Sequence, residues 1–329
     1  MTATLNYAGK TTLVTGGLGF IGSTLAIELV RLGARVTVVD SEMPDTGANA
    51  FNLDPVRGRV ERVTGDIGDE PLISRLVRGK DFIFNLAGTL SHTDSMRFPL
   101  RDLHANCGAH VMLLEACRTH APAARILYAG TRGQYGAPKF LPVTESHPLD
   151  SMDVNGINKT AGEAYHLLYA RHYGLHATSL RLPNTYGPRH QMKHHRQGVL
   201  NWFVRRTLDG DPIVLYGEGT QKRDVQHVDD VVTAMLLALG SEKTRGEAFN
   251  LGGSPMSLRE VADLLLKLNG GGTIEMKPYP ADAKGVEVGD FTADPSKFHD
   301  AVGWTPAVSP EIGFGQTLEY YRKNKSQYW

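Results

Sequence analysis

The chain has 329 residues, with 35 Lys+Arg balanced by 35 Asp+Glu and only two cysteines. A zero formal net charge gives no electrostatic ground for a nucleic-acid or membrane partner, and two cysteines cannot build a disulfide framework, which fits a reducing compartment. The length suits one large domain or two lobes sharing a cleft; no uncharged apolar run reaches spanning length, and residues 1–6 carry no basic or apolar leader, so a cytoplasmic protein is expected.

The apolar run 11–14 predicts a buried strand and 23–30 predicts a helix. Between them lies Thr15-Gly16-Gly17-Leu18-Gly19-Phe20-Ile21-Gly22. Strand, glycine turn and helix form the context of a dinucleotide-binding loop. Gly16 permits the tight turn, Gly19 lets a pyrophosphate approach the backbone, and Gly22 lets the helix pack close to the sheet. The helix start at Phe20, Ile21 and Gly22 offers open N–H groups and a partial positive charge to phosphate. Residues 35–40 predict a second strand ending in Asp40. An acid there accepts from the adenosine ribose hydroxyls and repels a 2′-phosphate, so NAD is the expected cofactor rather than NADP.

A third strand, 59–64, is followed by Asp66 and Ile67. Asp66 is placed either to accept from the adenine amino group or to cap the helix starting near residue 70. Strand four, 82–86, ends at Leu86-Ala87-Gly88, small enough for backbone to lie against a cofactor. A polar loop over 89–95 contains His92, and a long helix is predicted over 100–120, with Cys107 and Cys117 as core residues. Strand five, 125–129, leads to Gly130-Thr131. A helix over 155–173 begins Asn155-Gly156-Ile157-Asn158-Lys159, and strand six, 177–182, ends at Pro183-Asn184. This alternation predicts an α/β fold, a Rossmann-type doubly wound parallel sheet with Thr131 at the carboxyl edge.

The second half predicts helices over 198–208, 231–239 and 257–268 and a strand over 213–216. Asp229-Asp230 is read as the cap of the second helix, and Ser257 with Glu260 as a capping box for the third. The basic loop 189–196 holds His190 and His194 at i,i+4 spacing without an accompanying acid or cysteine, so a solvated or phosphate-facing loop is expected there, not a metal site. The expected division is an NAD-binding domain over 1–180 and a smaller substrate-binding lobe over 181–329, interleaved because later segments return to the first sheet.

Taken together, the 15–22 loop, Asp66-Ile67, Asn85-Leu86-Ala87, Tyr135-Gly136, Lys159, the run 184–189 (N-T-Y-G-P-R), the run 216–224 (Y-G-E-G-T-Q-K-R-D), His227-Val228-Asp229-Asp230, Asn250-Leu251-Gly252-Gly253 and Gly303-Trp304-Thr305-Pro306 resemble the extended short-chain dehydrogenase/reductase superfamily. The nucleotide-sugar epimerase and dehydratase branch, with the UDP-galactose 4-epimerases, is the nearest comparison. The resemblance implies NAD held as a transient hydride acceptor and a nucleotide-sugar substrate. It implies that Leu86, Ala87, Gly88 and Pro183 line the cofactor site, and that Asn184, Tyr216 and Arg223 bind the nucleotide sugar. Lys284-Gly285 is the nearest match to a second phosphate clamp. Helices 100–120 and 155–173 are implied to pair with a second copy as a homodimer.

The family's catalytic motif is Tyr-x-x-x-Lys. Lys159 matches it, but the tyrosine position holds Asn155, whose carboxamide takes no proton near neutrality. Lys159 and Thr131 are expected to polarise the reacting hydroxyl. Three groups could supply the missing base: Tyr135, His92 or Lys159 itself. Related dehydratases carry Asp-Glu after the threonine, where this chain has Arg132-Gly133, so epimerisation is the expected reaction. An NAD-dependent oxidoreductase or a dehydratase or decarboxylase on a nucleotide sugar, and a non-catalytic NAD or nucleotide-sugar binding protein, remain the alternatives.

Overall fold

The computed structural model describes residues 6–44, 46–196, 198–279 and 288–329. β1 (Thr11–Thr15), α1 (Phe20–Arg31), β2 (Arg35–Asp40) and β3 (Val60–Thr64) form its first layer of elements. α2 (Glu70–Leu76) leads to β4 (Phe82–Asn85). The chain then passes through α3 (His92–Arg97), α4 (Pro99–Leu103) and α5 (Ala109–His120) to β5 (Arg125–Thr131). α6 (Val154–Tyr173) returns it to β6 (His176–Leu182). All the pairings within this sheet are parallel, in the order β3-β2-β1-β4-β5-β6. The order reverses between β1 and β4, and the carboxyl ends of these strands diverge there into a crevice.

Both faces of the sheet are covered, as parallel strands require. Val14, Val38, Phe84, Leu127 and Leu180 point to one face, against Leu25 and Leu29 of α1. Leu13, Val39, Ile83, Ile126 and Ala177 alternate to the other, against Ile73 of α2, Leu113 and Cys117 of α5 and Tyr169 of α6. This period of two explains why the strand runs read as almost continuously apolar in the sequence.

The later chain comprises β7 (Asn184–Tyr186), α7 (Val199–Asp209), β8 (Ile213–Tyr216), β9 (Lys222–His227) and α8 (Val228–Gly240). β10 (Ala248–Asn250), β11 (Ser254–Ser257), α9 (Leu258–Asn269), β12 (Ile274–Lys277), α10 (Ser296–Val302) and α11 (Pro310–Asn324) complete it. β10 pairs with β6 as a seventh parallel strand, and α8 packs Val231, Met235 and Leu239 onto the α1 face. A separate core of Tyr186, Phe203, Leu215, Val261, Phe314 and Tyr321 holds α7, α9 and α11 together with two small sheets, β11-β9-β7 and β12-β8. No helix among the described residues is long and apolar enough to cross a membrane.

Several local details differ from the sequence expectation. α8 starts at Val228, and its cap is His227, whose Nδ1 accepts from Asp229 N at 3.3 Å. Asp230 instead accepts from Ala307 N and Val308 N at 2.9 and 3.1 Å, pinning the segment before α11, so the Asp229-Asp230 cap is corrected. α2 is capped by Asp69, which leaves capping out of Asp66's role. The polar loop after β4 winds into α3, capped by Ser91. The helix expected over 100–120 is α4 and α5 joined by a wider π turn, His104–Gly108, which directs Asn106 inward. The Ser257–Glu260 capping box is present as read.

Candidate active site

The cofactor cradle is made chiefly of backbone. Gly16 takes a φ of +66°, and a Cβ there would sit 2.9 Å from Leu86 O. A Cβ at Gly22 would run into Gly16 O, so the loop closes on α1 only with glycine at both positions. Gly19 caps α1 without a side chain, so the N–H groups of the first turn at Phe20 and Ile21 open toward solvent space instead of a cap. Asp40 Oδ2 accepts from Leu18 N at 3.0 Å and Oδ1 from Glu42 N at 2.9 Å. Burial raises this carboxyl above its usual range, against the pull of those two N–H bonds. The end of β2 thus fixes the glycine loop as well as facing the cavity.

Behind the cradle, the Thr15 hydroxyl donates to Asn85 Oδ1 and accepts from Leu86 N and Ala87 N, each at 3.0 Å. This sets the backbone at Leu86-Ala87-Gly88. A cavity of about 500 Å³ lies along this edge. Gly16, Gly19, Phe20, Ile21, Gly22, Asp40, Asp66, Ile67, Leu86, Ala87, Gly88, Lys159 and Pro183 line it, so every cofactor residue expected from the sequence meets in one place. Asp66 Oδ1 accepts from Gly68 N at 2.7 Å. From the basic loop, His190, His195 and Arg196 also line the cavity, and the His190 ring stands edge-on to Phe20 at 5.0 Å.

At the inner end, Lys159 is fully buried and donates to Ala129 O at 3.2 Å. Burial lowers its ammonium to about 8, against the attraction of Asp102. Asp102 is itself 4% exposed and accepts from Thr89 Oγ1 at 2.8 Å, Asn155 Nδ2 at 3.1 Å and Asn158 Nδ2 at 2.8 Å. Asn155 Nδ2 also donates to Thr89 O at 2.8 Å. Both N–H donors of the Asn155 amide are therefore engaged inside the protein, and the residue meets the cavity wall without a proton to exchange.

His92 and Thr131 line the same inner end. His92 Nδ1 lies 2.5 Å from Asp153 Oδ2. Asn184 lines it as well and accepts from Arg132 Nε at 2.7 Å.

Tyr135 is not brought to the cavity. Its phenol is buried beside Val143 and Phe291, donates to Asn250 Oδ1 and accepts from Arg181 Nη1, both at 2.6 Å. Arg181 in turn pairs with buried Glu163 at 2.6 Å, so the tyrosine is one link in a structural network joining β6, α6 and β10. It cannot substitute at position 155. Tyr216 and Arg223 also lie outside the cavity lining. Tyr216 ends β8, 41% exposed, beside the Tyr279 ring. Arg223 on β9 is buried, and its Nη1 donates to Lys222 O and Gly289 O. Lys284-Gly285 lie outside the described residues. Sequence reading missed Asp102, Asn158 and Asp153. An aspartate just before a helical run signals an N-cap, which Asp153 is, but nothing local signals its second partner, His92.

A parallel sheet with a glycine-lined crevice at its reversal point, an open helix start and an acid closing β2 define an NAD-binding oxidoreductase-type fold. The chain matches the NAD dependent epimerase/dehydratase family over residues 12–252, and it belongs to that family. It is similar to CDP-paratose 2-epimerase of Salmonella typhi, 30% identical over 94% of this chain and 98% of that one. Among solved structures it is similar to UDP-glucose 4-epimerase of Thermotoga maritima with UDP-glucose, 33% identical, TM-score 0.86, covering 96% of this chain and 99% of that one. It is also similar to a dTDP-glucose 4,6-dehydratase of Streptomyces venezuelae with NAD bound, 29% identical, TM-score 0.87, covering 97% and 98%. NAD is the family's cofactor, and the cradle fits it: glycines where a Cβ would obstruct, open N–H groups, and Asp40.

Two outcomes follow from this geometry. Asp40→Ala should weaken NAD binding roughly 10- to 100-fold, the worth of hydrogen bonds to a charged group, and narrow the preference over NADP, as read by calorimetric titration. The second concerns Lys159, which stays protonated to its ordinary 10.5 when unfolded but only to about 8 when folded. The unfolded chain therefore binds the extra proton between those values, and stability of the cofactor-free protein should rise as pH climbs through that window. Thermal unfolding across pH should show that gain in the native protein and lose it in Lys159→Met.

Proposed function

We propose that the protein is an NAD-dependent nucleotide-sugar epimerase. One observation carries the choice over dehydration. Among the described residues lining the cavity, the only carboxylates are Asp40 and Asp66, at the far ends of β2 and β3. Elimination of water between neighbouring carbons needs an acid and a base at the reacting end, and the turn after Thr131 offers Arg132-Gly133. The chain is similar to epimerases of CDP- and UDP-sugars and to a dTDP-sugar dehydratase alike, so the choice rests on the cavity lining.

In this reading NAD, when bound, supplies the hydride acceptor and donor. The residues of the chain do the rest. Lys159 holds the ribose side and lends positive charge to the reacting oxygen, with the Thr131 hydroxyl beside it. Asn184 and Arg132 border the nucleotide-sugar phosphates, and Arg223 and Tyr216 belong to the nucleotide side beyond the cavity rim. The sugar hydroxyl carbon is oxidised to a ketone, which turns and is reduced on its opposite face.

Incubation with UDP-, CDP- and dTDP-hexoses in deuterated water, followed by NMR, tests the reaction. Interconversion of two epimers at a carbinol carbon, without solvent deuterium at carbon, is the expected result. A 4-keto-6-deoxy product carrying deuterium would establish a dehydratase, and no conversion of any sugar would favour a binding protein.

We also propose that the chain works as a homodimer, through α4 and α6. Leu100, Leu103, Ile157 and Leu168 on these helices are 78, 45, 57 and 44% exposed, an apolar surface that a second copy would cover. Light scattering should give the mass of two chains, and Ile157→Glu together with Leu100→Glu should give one. A cytoplasmic location belongs to the same reading, with Cys107 and Cys117 both free and buried.

A further inference from the structure

Oxidation of a sugar hydroxyl must dispose of a proton, and neither Asn155 nor Tyr135 can take it. Resting on the epimerase reading, we propose that His92, positioned by Asp153, is the general base that replaces the missing tyrosine.

Three observations place it. First, the imidazole is oriented by a carboxylate. Asp153 Oδ2 lies 2.5 Å from His92 Nδ1, while its Oδ1 accepts from Gly156 N at 2.7 Å as the cap of α6. The Asp153 side chain is 9% exposed. Burial would raise its carboxyl, but the imidazole and the α6 N–H groups outweigh that and hold it below its usual value. An anionic partner on Nδ1 selects the tautomer with the proton on Nδ1 and leaves Nε2 as an acceptor. The His92 side chain is 49% exposed and lines the cavity, so that acceptor has access to a ligand there.

Second, the backbone of His92 is tied to the position the tyrosine would occupy. Ser95 Oγ donates to His92 O at 2.7 Å and accepts from Asn155 N at 3.2 Å. One hydroxyl thus holds α3 against the first turn of α6. Third, the space over Gly133 is shared by the groups the reaction needs. A Cβ at Gly133 would lie 3.6 Å from His92 Cε1 and 3.6 Å from Thr131 Oγ1. The imidazole and the threonine hydroxyl therefore flank one small volume, which a long side chain at 133 would fill.

The step balances as follows. The sugar O–H bond breaks and its proton moves to His92 Nε2. The freed electron pair forms the C=O bond as the carbon gives up its hydride to NAD. The imidazolium is stabilised by Asp153, and it returns the proton to oxygen when the ketone is reduced. Asp153 acts only through the ring and is a positioning residue.

The test has two arms. In protein labelled with ¹⁵N-histidine and loaded with NAD, NMR should report neutral His92 with its proton on Nδ1. Asp153→Asn, whose Oδ1 can keep the α6 cap, turns its Nδ2 donor toward the ring and should move the ring proton from Nδ1 to Nε2. A native imidazole protonated on Nε2, or one unmoved by Asp153→Asn, overturns the dyad whatever the activity. In the second arm, with UDP-glucose as the probe, His92→Ala should lower turnover by about 10²- to 10⁴-fold with little change in KM, and added imidazole should restore part of it. Undiminished turnover in His92→Ala overturns the proposal while leaving the epimerase reading intact. Failure of the native protein to convert any nucleotide sugar overturns that reading instead, and the NMR arm still decides the dyad.

Discussion

A buried carboxylate at Asp102 governs the inner end of the cleft. Removing a carboxylate from water costs several kcal/mol unless its lone pairs are satisfied. Here Thr89, Asn155 and Asn158 satisfy them, and the Lys159 ammonium adds favourable charge. That demand explains position 155. Asn155 donates to Asp102 and to Thr89 O, so α4, α6 and the loop after β4 are locked to one another through its amide. A phenol has one O–H and could not make both contacts. The side chain that departs from the family motif therefore joins three elements by hydrogen bonds and has no proton of its own to exchange near neutrality.

The cradle and the reacting end were legible to very different degrees. The glycine loop, Asp40 and the alternation of strands are local signals, because each follows from a single turn, strand end or periodicity. β2 falls at 35–40 as read, and the Ser257 capping box depends on residues three apart. What the sequence hid depends on contacts between distant residues. Tyr135 sits four positions after Thr131, yet its phenol turns to Asn250 and Arg181, more than forty positions away in chain order. Asp230 reads as a helix cap but spends its oxygens on residues 307 and 308. The π turn at 104–108 leaves no periodicity signature in a window that is otherwise helical. Arg223 carries the family's phosphate-binding residue type, while its guanidinium meets main-chain carbonyls of its own strand and of the neighbouring segment.

This division has a physical cause. Binding of a pyrophosphate is done by main-chain N–H groups, so the sequence must supply only absent side chains, and glycines at fixed spacing are readable. Redox chemistry on a sugar needs side chains with a proton to exchange, and these converge from α3, α6 and the turn after β5. Their convergence is set by tertiary packing. A motif can therefore be complete for the cofactor and altered for the chemistry without any change of fold.

Arg132-Gly133 follows Thr131 in the cavity lining. An acidic pair in that turn would supply elimination chemistry; its replacement removes both carboxylates from the reacting end. The glycine does something further. With no side chain at 133, the space beside Thr131 stays open, and the His92 ring approaches it. The arginine meanwhile donates from Nε to Asn184 Oδ1 at 2.7 Å. The same turn thus lacks an acidic pair and leaves open space beside the imidazole. Asn155, with no proton to exchange, satisfies Asp102. The three departures from the family pattern border one stretch of the cavity, where Ser95 and Asp153 tie α3 to the first turn of α6.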